Sequence, residues 1–111
     1  MKNIKSKVPL EKDIQRAICD YLALKKYFFW RQNTGAIMDF KSGGFRAMPK
    51  YSMTGVPDII VIRDGWFIGL EVKRPNTKQS PAQKDFEKGC KDAGGEYWVV
   101  RSIEDVKEIG L

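Results

Sequence analysis

The sequence predicts a single α/β domain in which α-helices flank a mixed central β-sheet. Three observations predict it. Helical periodicity opens the chain, two apolar runs joined by a tight turn lie in its middle, and a helix, a strand and a short helix close it. The 111 residues fit one domain of the commonest size, and a hydrophobic content of 42% supplies one modest core.

Residues 1–8 read as a loose basic arm. From about Pro9 to Lys26, the apolar residues Leu10, Ile14, Ala17, Ile18, Tyr21 and Leu22 recur at helical spacing. The stretch KYFFWRQNT, from Lys26, is aromatic and β-favouring and predicts a strand ending near Gln32. Residues 33–54 hold no sustained periodicity; the cations Lys41, Arg46 and Lys50 stand there among Phe40, Phe45 and Tyr51. So long a loop in a small domain is usually functional or disordered. Its mixture suits nucleic acid, through phosphate pairing and base stacking; the alternative is a flexible insertion whose aromatics pack locally.

Ile59–Arg63 and Trp66–Lys73 predict two strands, and Asp64-Gly65 between them is a strong hairpin signal. After the polar RPNTKQ, the segment SPAQKDFEKGCKDAGG predicts a helix with Ser80 at the N-cap, Pro81 at the first position and Gly94 at the C-terminal cap. EYWVVRS predicts a further strand, and IEDVKEIGL a short closing helix.

Lys and Arg outnumber Asp and Glu by 20 to 14, giving a net charge of +6. That excess favours a polyanionic partner, or is simply a basic surface. Histidine is absent, which excludes a Ser-His or Cys-His dyad, a histidine base and any imidazole-bound zinc. Cys19 and Cys90 each lie in a helical pattern and read as buried free thiols of a reducing compartment. No apolar stretch is long enough to span a bilayer, and the basic start lacks the hydrophobic segment of a signal peptide. A cytoplasmic protein with no membrane partner is expected.

The acids of GVPDIIVIRDGWFIGLEVKR sit in unusual places. With Asp64 and Gly65 as the turn, Arg63 pairs with Trp66, and counting back sets Ile59 opposite Leu70 and then Asp58 opposite Glu71. Directly opposed residues share a face, and alternation brings Lys73 to the same face as Glu71. Ile59, Val61, Ile68, Leu70 and Val72 then fill the other face. Two opposed carboxylates destabilise a sheet unless a hard cation such as Mg²⁺ or Mn²⁺ joins them. The bland alternative is a surface ion network in which Lys73 neutralises Glu71.

An acid opening one strand, followed by Glu-x-Lys in the next, resembles the signature of the PD-(D/E)XK nuclease superfamily, here Pro57-Asp58 and Glu71-Val72-Lys73. The blocks EKDIQRAICDYL, GVPDIIVI, LEVKRP and SPAQKDF, in that order, are similar to the VRR-NUC family, in particular to its short stand-alone phage and bacterial members. The resemblance runs from Glu11 to about Arg101. It implies a restriction-endonuclease-like core and a metal-dependent endonuclease that hydrolyses DNA phosphodiesters. It also implies a homodimer acting on branched DNA such as four-way (Holliday) junctions.

By the same resemblance, Asp58 and Glu71 bind Mg²⁺ or Mn²⁺ with the backbone carbonyl of Val72, and Lys73 is the catalytic lysine. Glu11 is the helix acid that completes the cluster or holds a metal water, with Gln15 one turn on, and Gln83 is the glutamine after the motif. Other roles stand beside these. Glu11 suits the dipole of a first helical turn, Gln83 completes a Ser80-x-x-Gln83 capping box, and an exposed Gln15 needs no explanation. Arg31, Lys41, Arg46, Lys50 and Lys78 are candidate phosphate contacts. The competing function is a non-catalytic DNA-binding module that retains the nuclease fold; an ion cluster in a protein–protein adaptor is a third.

Overall fold

The structure, a computed structural model, describes residues 8–32, 38–39, 44–45 and 49–111. Lys41, Arg46 and all of the expected basic arm except Val8 lie outside them. The elements are α1 (Glu11–Leu24), β1 (Phe28–Arg31), β2 (Met38–Asp39), β3 (Gly44–Phe45), β4 (Ile59–Arg63), β5 (Trp66–Val72), α2 (Pro81–Asp92), β6 (Glu96–Val100) and α3 (Ile103–Glu108). One difference from the sequence reading falls in the expected loop, where β2 and β3 pair antiparallel. Two residues per strand are too few for any periodicity to announce them.

The main sheet runs β1-β4-β5-β6. Its first three strands are antiparallel, and β6 lies parallel to β5, with α2 as the crossover that a parallel pair requires. Asp64 and Gly65 both take positive φ (54° and 82°), the conformation of a two-residue hairpin turn, and the β4–β5 register is the one the sequence predicts, Arg63 opposite Trp66 through Ile59 opposite Leu70.

One face of the sheet is the core. Ile59, Val61, Ile68, Leu70, Val72 and Val100 meet Ile14, Ile18 and Leu22 of α1 and Val106 of α3. Fully burying each such side chain stabilises by about 1.5–3 kcal/mol. The hydroxyls of Tyr21 and Tyr27 both donate to the carbonyl of Leu111 (2.9 Å each), tying the end of α3 to α1 and the start of β1. Cys19 and Cys90 are free, as read, but only partly buried.

The opposite face receives α2. Ser80 caps the helix: its hydroxyl accepts from the Gln83 N–H (3.2 Å) while its own N–H donates to Gln83 Oε1 (2.8 Å). Two glycines let chain segments close on this face. Gly69 has no side chain where the Pro57 ring lies, since a Cβ would stand 2.6 Å from Pro57 Cγ. Gly55, at φ +76°, backs directly onto the backbone of Ala82 and Gln83.

Gly55→Ala should therefore lower the unfolding free energy by about 2–4 kcal/mol, combining positive-φ strain with a clash against backbone. Gly94→Ala, at φ +94° but facing open space, should cost only about 1 kcal/mol. Urea unfolding of the two variants measures the difference.

Candidate active site

Asp58 sits where β4 begins, and two strands hold it. The Gln32 N–H donates to its backbone carbonyl (2.7 Å), and the Val72 N–H donates to its Oδ2 (2.8 Å). At the step where the β4–β5 ladder would continue through backbone groups, a carboxylate oxygen serves as the acceptor. This fixes the Asp58 side chain against β5, where its charge acts on Glu71.

Glu71 is 2% exposed, an acid inside the sheet. Its Oε2 accepts from Gln83 Nε2 (2.8 Å), and its Oε1 accepts from the Tyr97 hydroxyl (3.3 Å). Burial pushes its pKa up to about 8, and the neighbouring Asp58 adds to the rise; Lys73 and the Tyr97 hydrogen bond pull the other way. Lys73, half-buried, continues the sheet by donating its N–H to the Val100 carbonyl (3.1 Å). Near neutral pH the Glu71 carboxyl therefore keeps its proton. A hard divalent ion would fit the donor set of two neighbouring carboxyls, since it would remove the repulsion that burial strengthens.

The structure thus brings together Asp58, Glu71, Lys73 and Gln83. Gln83 does two jobs with one amide: its oxygen completes the capping box and its nitrogen orients Glu71. Glu11 occupies the first turn of α1, and among the described residues no third acid joins Asp58 and Glu71 in a metal-ligating group. The start of that helix is nevertheless tethered to the motif, because Arg74 Nε donates to the Pro9 carbonyl (3.0 Å). Gln15 is a correction: expected on the surface, it is 6% exposed, and its Oε1 accepts from Arg31 Nε (2.8 Å) on the core side of the sheet. Lys50 lies over the Tyr51 ring at 5.3 Å, and Lys78 is exposed just before α2.

Tyr97 is the site residue that the sequence reading missed. It is buried beneath α2, with its ring 6.1 Å from that of Phe86, and it sits on β6 opposite Gly69. Burial raises its pKa, the Gln79 amide at its hydroxyl lowers it, and Glu71 raises it again. Gln79 also donates to Glu87 (2.9 Å). No sequence signal pointed to Tyr97, because the register of a parallel pair is set by the crossover and not by a turn.

Two outcomes follow from the buried carboxyl. The folded protein keeps the Glu71 proton to about pH 8, whereas an ordinary glutamate releases it near 4.5, so ionisation works against the fold. Without added metal, stability should be greatest below pH 4.5 and fall as the pH rises to about 8. Glu71→Gln should remove most of that slope, melting several degrees above wild type at pH 8.5 and close to it at pH 4.5. Tyr97→Phe deletes a donor to the carboxylate and should carry the wild-type slope to higher pH, at a cost of about 1 kcal/mol. Thermal melts across pH in EDTA read both.

No protein-family model matches the chain, and no curated protein does. Solved structures do. One described as a VRR_NUC domain superposes with a TM-score of 0.61 at 22% identity, covering 89% of this chain and 91% of its own. Another, a VRR_NUC domain protein, gives a TM-score of 0.67 at 20% identity, with 93% of this chain and 86% of its own covered. At such identities the likeness is one of fold, and it spans nearly the whole chain. The chain is folded as a VRR_NUC domain, the PD-(D/E)XK restriction-endonuclease-like arrangement of a mixed four-stranded sheet between helices.

Proposed function

We propose that the protein is a divalent-metal-dependent DNA endonuclease that hydrolyses phosphodiesters. The observation that carries the proposal is the buried Glu71 carboxyl, under the charges of Asp58 and Lys73. A structural ion network has no need to bury one of its acids, and DNA binding alone has no need of a carboxylate pair, which repels phosphate.

Asp58 and Glu71, with the Val72 carbonyl, would hold Mg²⁺ or Mn²⁺. The ion would supply Lewis acidity at the scissile phosphate and activate the attacking water. Asp58 keeps its position through the Val72 N–H, and Glu71 through Gln83 and Tyr97. Lys73 stabilises the negative charge that develops as water attacks phosphorus and the P–O bond breaks. Glu11, on the helical turn tethered by Arg74, acts from further out through water. Exposed Arg31, Lys50 and Lys78, together with Lys41 and Arg46, supply phosphate contacts, and the net charge of +6 suits them. The substrate is branched DNA such as a four-way junction, cut by a homodimer whose two sites match two equivalent strands. This branch preference and the dimer rest on the sequence resemblance. Among the described residues no helix is long and apolar enough to cross a membrane, and two free thiols suit the cytoplasm.

An end-labelled four-way junction and its linear duplex, incubated with Mg²⁺, Mn²⁺ or EDTA, test the proposal. Paired, metal-dependent nicks in the junction are expected, reduced at least about 100-fold by Lys73→Ala or Glu71→Ala. Mn²⁺ should also raise the melting midpoint of the wild type at pH 8 and leave that of Glu71→Gln unmoved. Tight junction binding with neither cleavage nor a metal-induced shift would replace the enzyme with a DNA-binding module.

A further inference from the structure

The sheet face that carries the acids has an open half. Its register sets Trp30, Ile60 and Gly69 in one row and Phe28, Ile62 and Phe67 in the next, and directly paired residues share a face. The row beyond Trp30 is that of Gln32, whose N–H donates to the Asp58 carbonyl. Trp30 therefore stands one two-residue step, about 7 Å, from the carboxylate row, and Phe28 one step further. Helix α2 covers the β5–β6 half, where Phe86 meets Tyr97. Over β1 the rings are open, Phe28 at 69% and Trp30 at 41% exposure.

Their arrangement is specific. The two rings meet edge to face at 6.2 Å, and Trp30 Nε1 donates to Gln32 Oε1 (2.8 Å), the residue whose backbone holds Asp58. The chain leading into β1 is cationic: Lys25 and Lys26 are exposed before it, and no acid stands between Leu24 and Gln32, while Arg31 lies on the other face, bonded to Gln15. Exposed aromatics among cations, spaced along a strand, match the needs of single-stranded nucleic acid, in which bases stack on rings while phosphates find positive charge. A paired base inside a duplex presents no face to such a ring.

We propose that Phe28 and Trp30 form a stacking platform for unpaired bases of DNA. Taken with the nuclease reading, on which its relation to the acids rests, the platform makes unpaired nucleotides next to the cut the feature by which a branch is told from a duplex.

Binding is read in EDTA, so that no cleavage enters, by anisotropy of labelled dT12 and of a fully paired duplex at several salt concentrations. Trp30→Ala and Phe28→Ala are compared with Trp66→Ala, which removes a ring of 58% exposure at the hairpin, the far end of β5 from Glu71. All three remove exposed rings, so melting midpoints should stay near wild type.

Trp30→Ala should weaken dT12 binding roughly 5- to 100-fold while affecting the duplex far less. The salt slope should stay unchanged, because no phosphate contact is lost. Trp66→Ala should bind as wild type. Unchanged dT12 affinity in Trp30→Ala, an equal loss on duplex, or a shallower salt slope would each overturn the platform. So would unchanged dT12 affinity with an altered sedimentation coefficient, which would assign the rings to contact with a second copy. The two proposals fail separately. Trp30-dependent dT12 binding by a protein that cuts nothing keeps the platform and removes the nuclease, and metal-dependent cutting with Trp30-independent binding does the reverse.

Discussion

An isolated ionised carboxyl inside a sheet would outweigh the modest free energy that holds a small domain together. Glu71 occupies such a place, and its surroundings are arranged around that constraint. Gln83 and Tyr97 give each of its oxygens a donor, and Lys73 offers a partial counter-charge. Gly55 and Gly69 are the space that lets the α2 N-terminus and Pro57 come close enough to close the site. What stays uncompensated is the pressure of Asp58, whose own carboxylate is pinned by the Val72 N–H and cannot swing away. A buried acid that is fully hydrogen-bonded and still reluctant to ionise is where the strain of the site is concentrated.

The two faces of the sheet divide the work. Aliphatic side chains on one face meet α1 and α3 and supply most of the cohesion. The other face is mixed, with Tyr97 under Phe86 of α2, acids at one end and open aromatics over β1. Because residues alternate along β5, Leu70 and Val72 anchor the strand on both sides of Glu71. The acid is thereby held at a fixed height on a rigid element, as a site that must place charge accurately requires.

What the sequence made legible was local. A two-residue turn dictates the hairpin register, so Asp58 and Glu71 could be set together by counting, and Ser80, Pro81 and Gly94 marked the bounds of α2 because caps act within a turn of themselves. What was not legible depends on chain segments far apart. Tyr97 meets Glu71 only because α2 carries the chain across to a parallel strand, and no turn chemistry sets that register. Gln15 reads as a surface residue until Arg31 is found to satisfy it in a buried place. The ladder of β2 and β3 is too short to leave a pattern.

The shared amide of Gln83 has a consequence for how the chain tolerates change. At an ordinary helix start, glutamate and glutamine are interchangeable at this position, since either oxygen can accept from the N-cap N–H. Here glutamate would keep the cap but would aim a third negative oxygen at Glu71 where a donor now stands. A conversion that any helix-propensity scale scores as neutral would thus leave α2 intact while turning its first turn from a support of the buried acid into an opponent of it. The grammar that starts the helix and the demand of the acid beneath it are written into a single side chain, and only one of the two usual residues satisfies both.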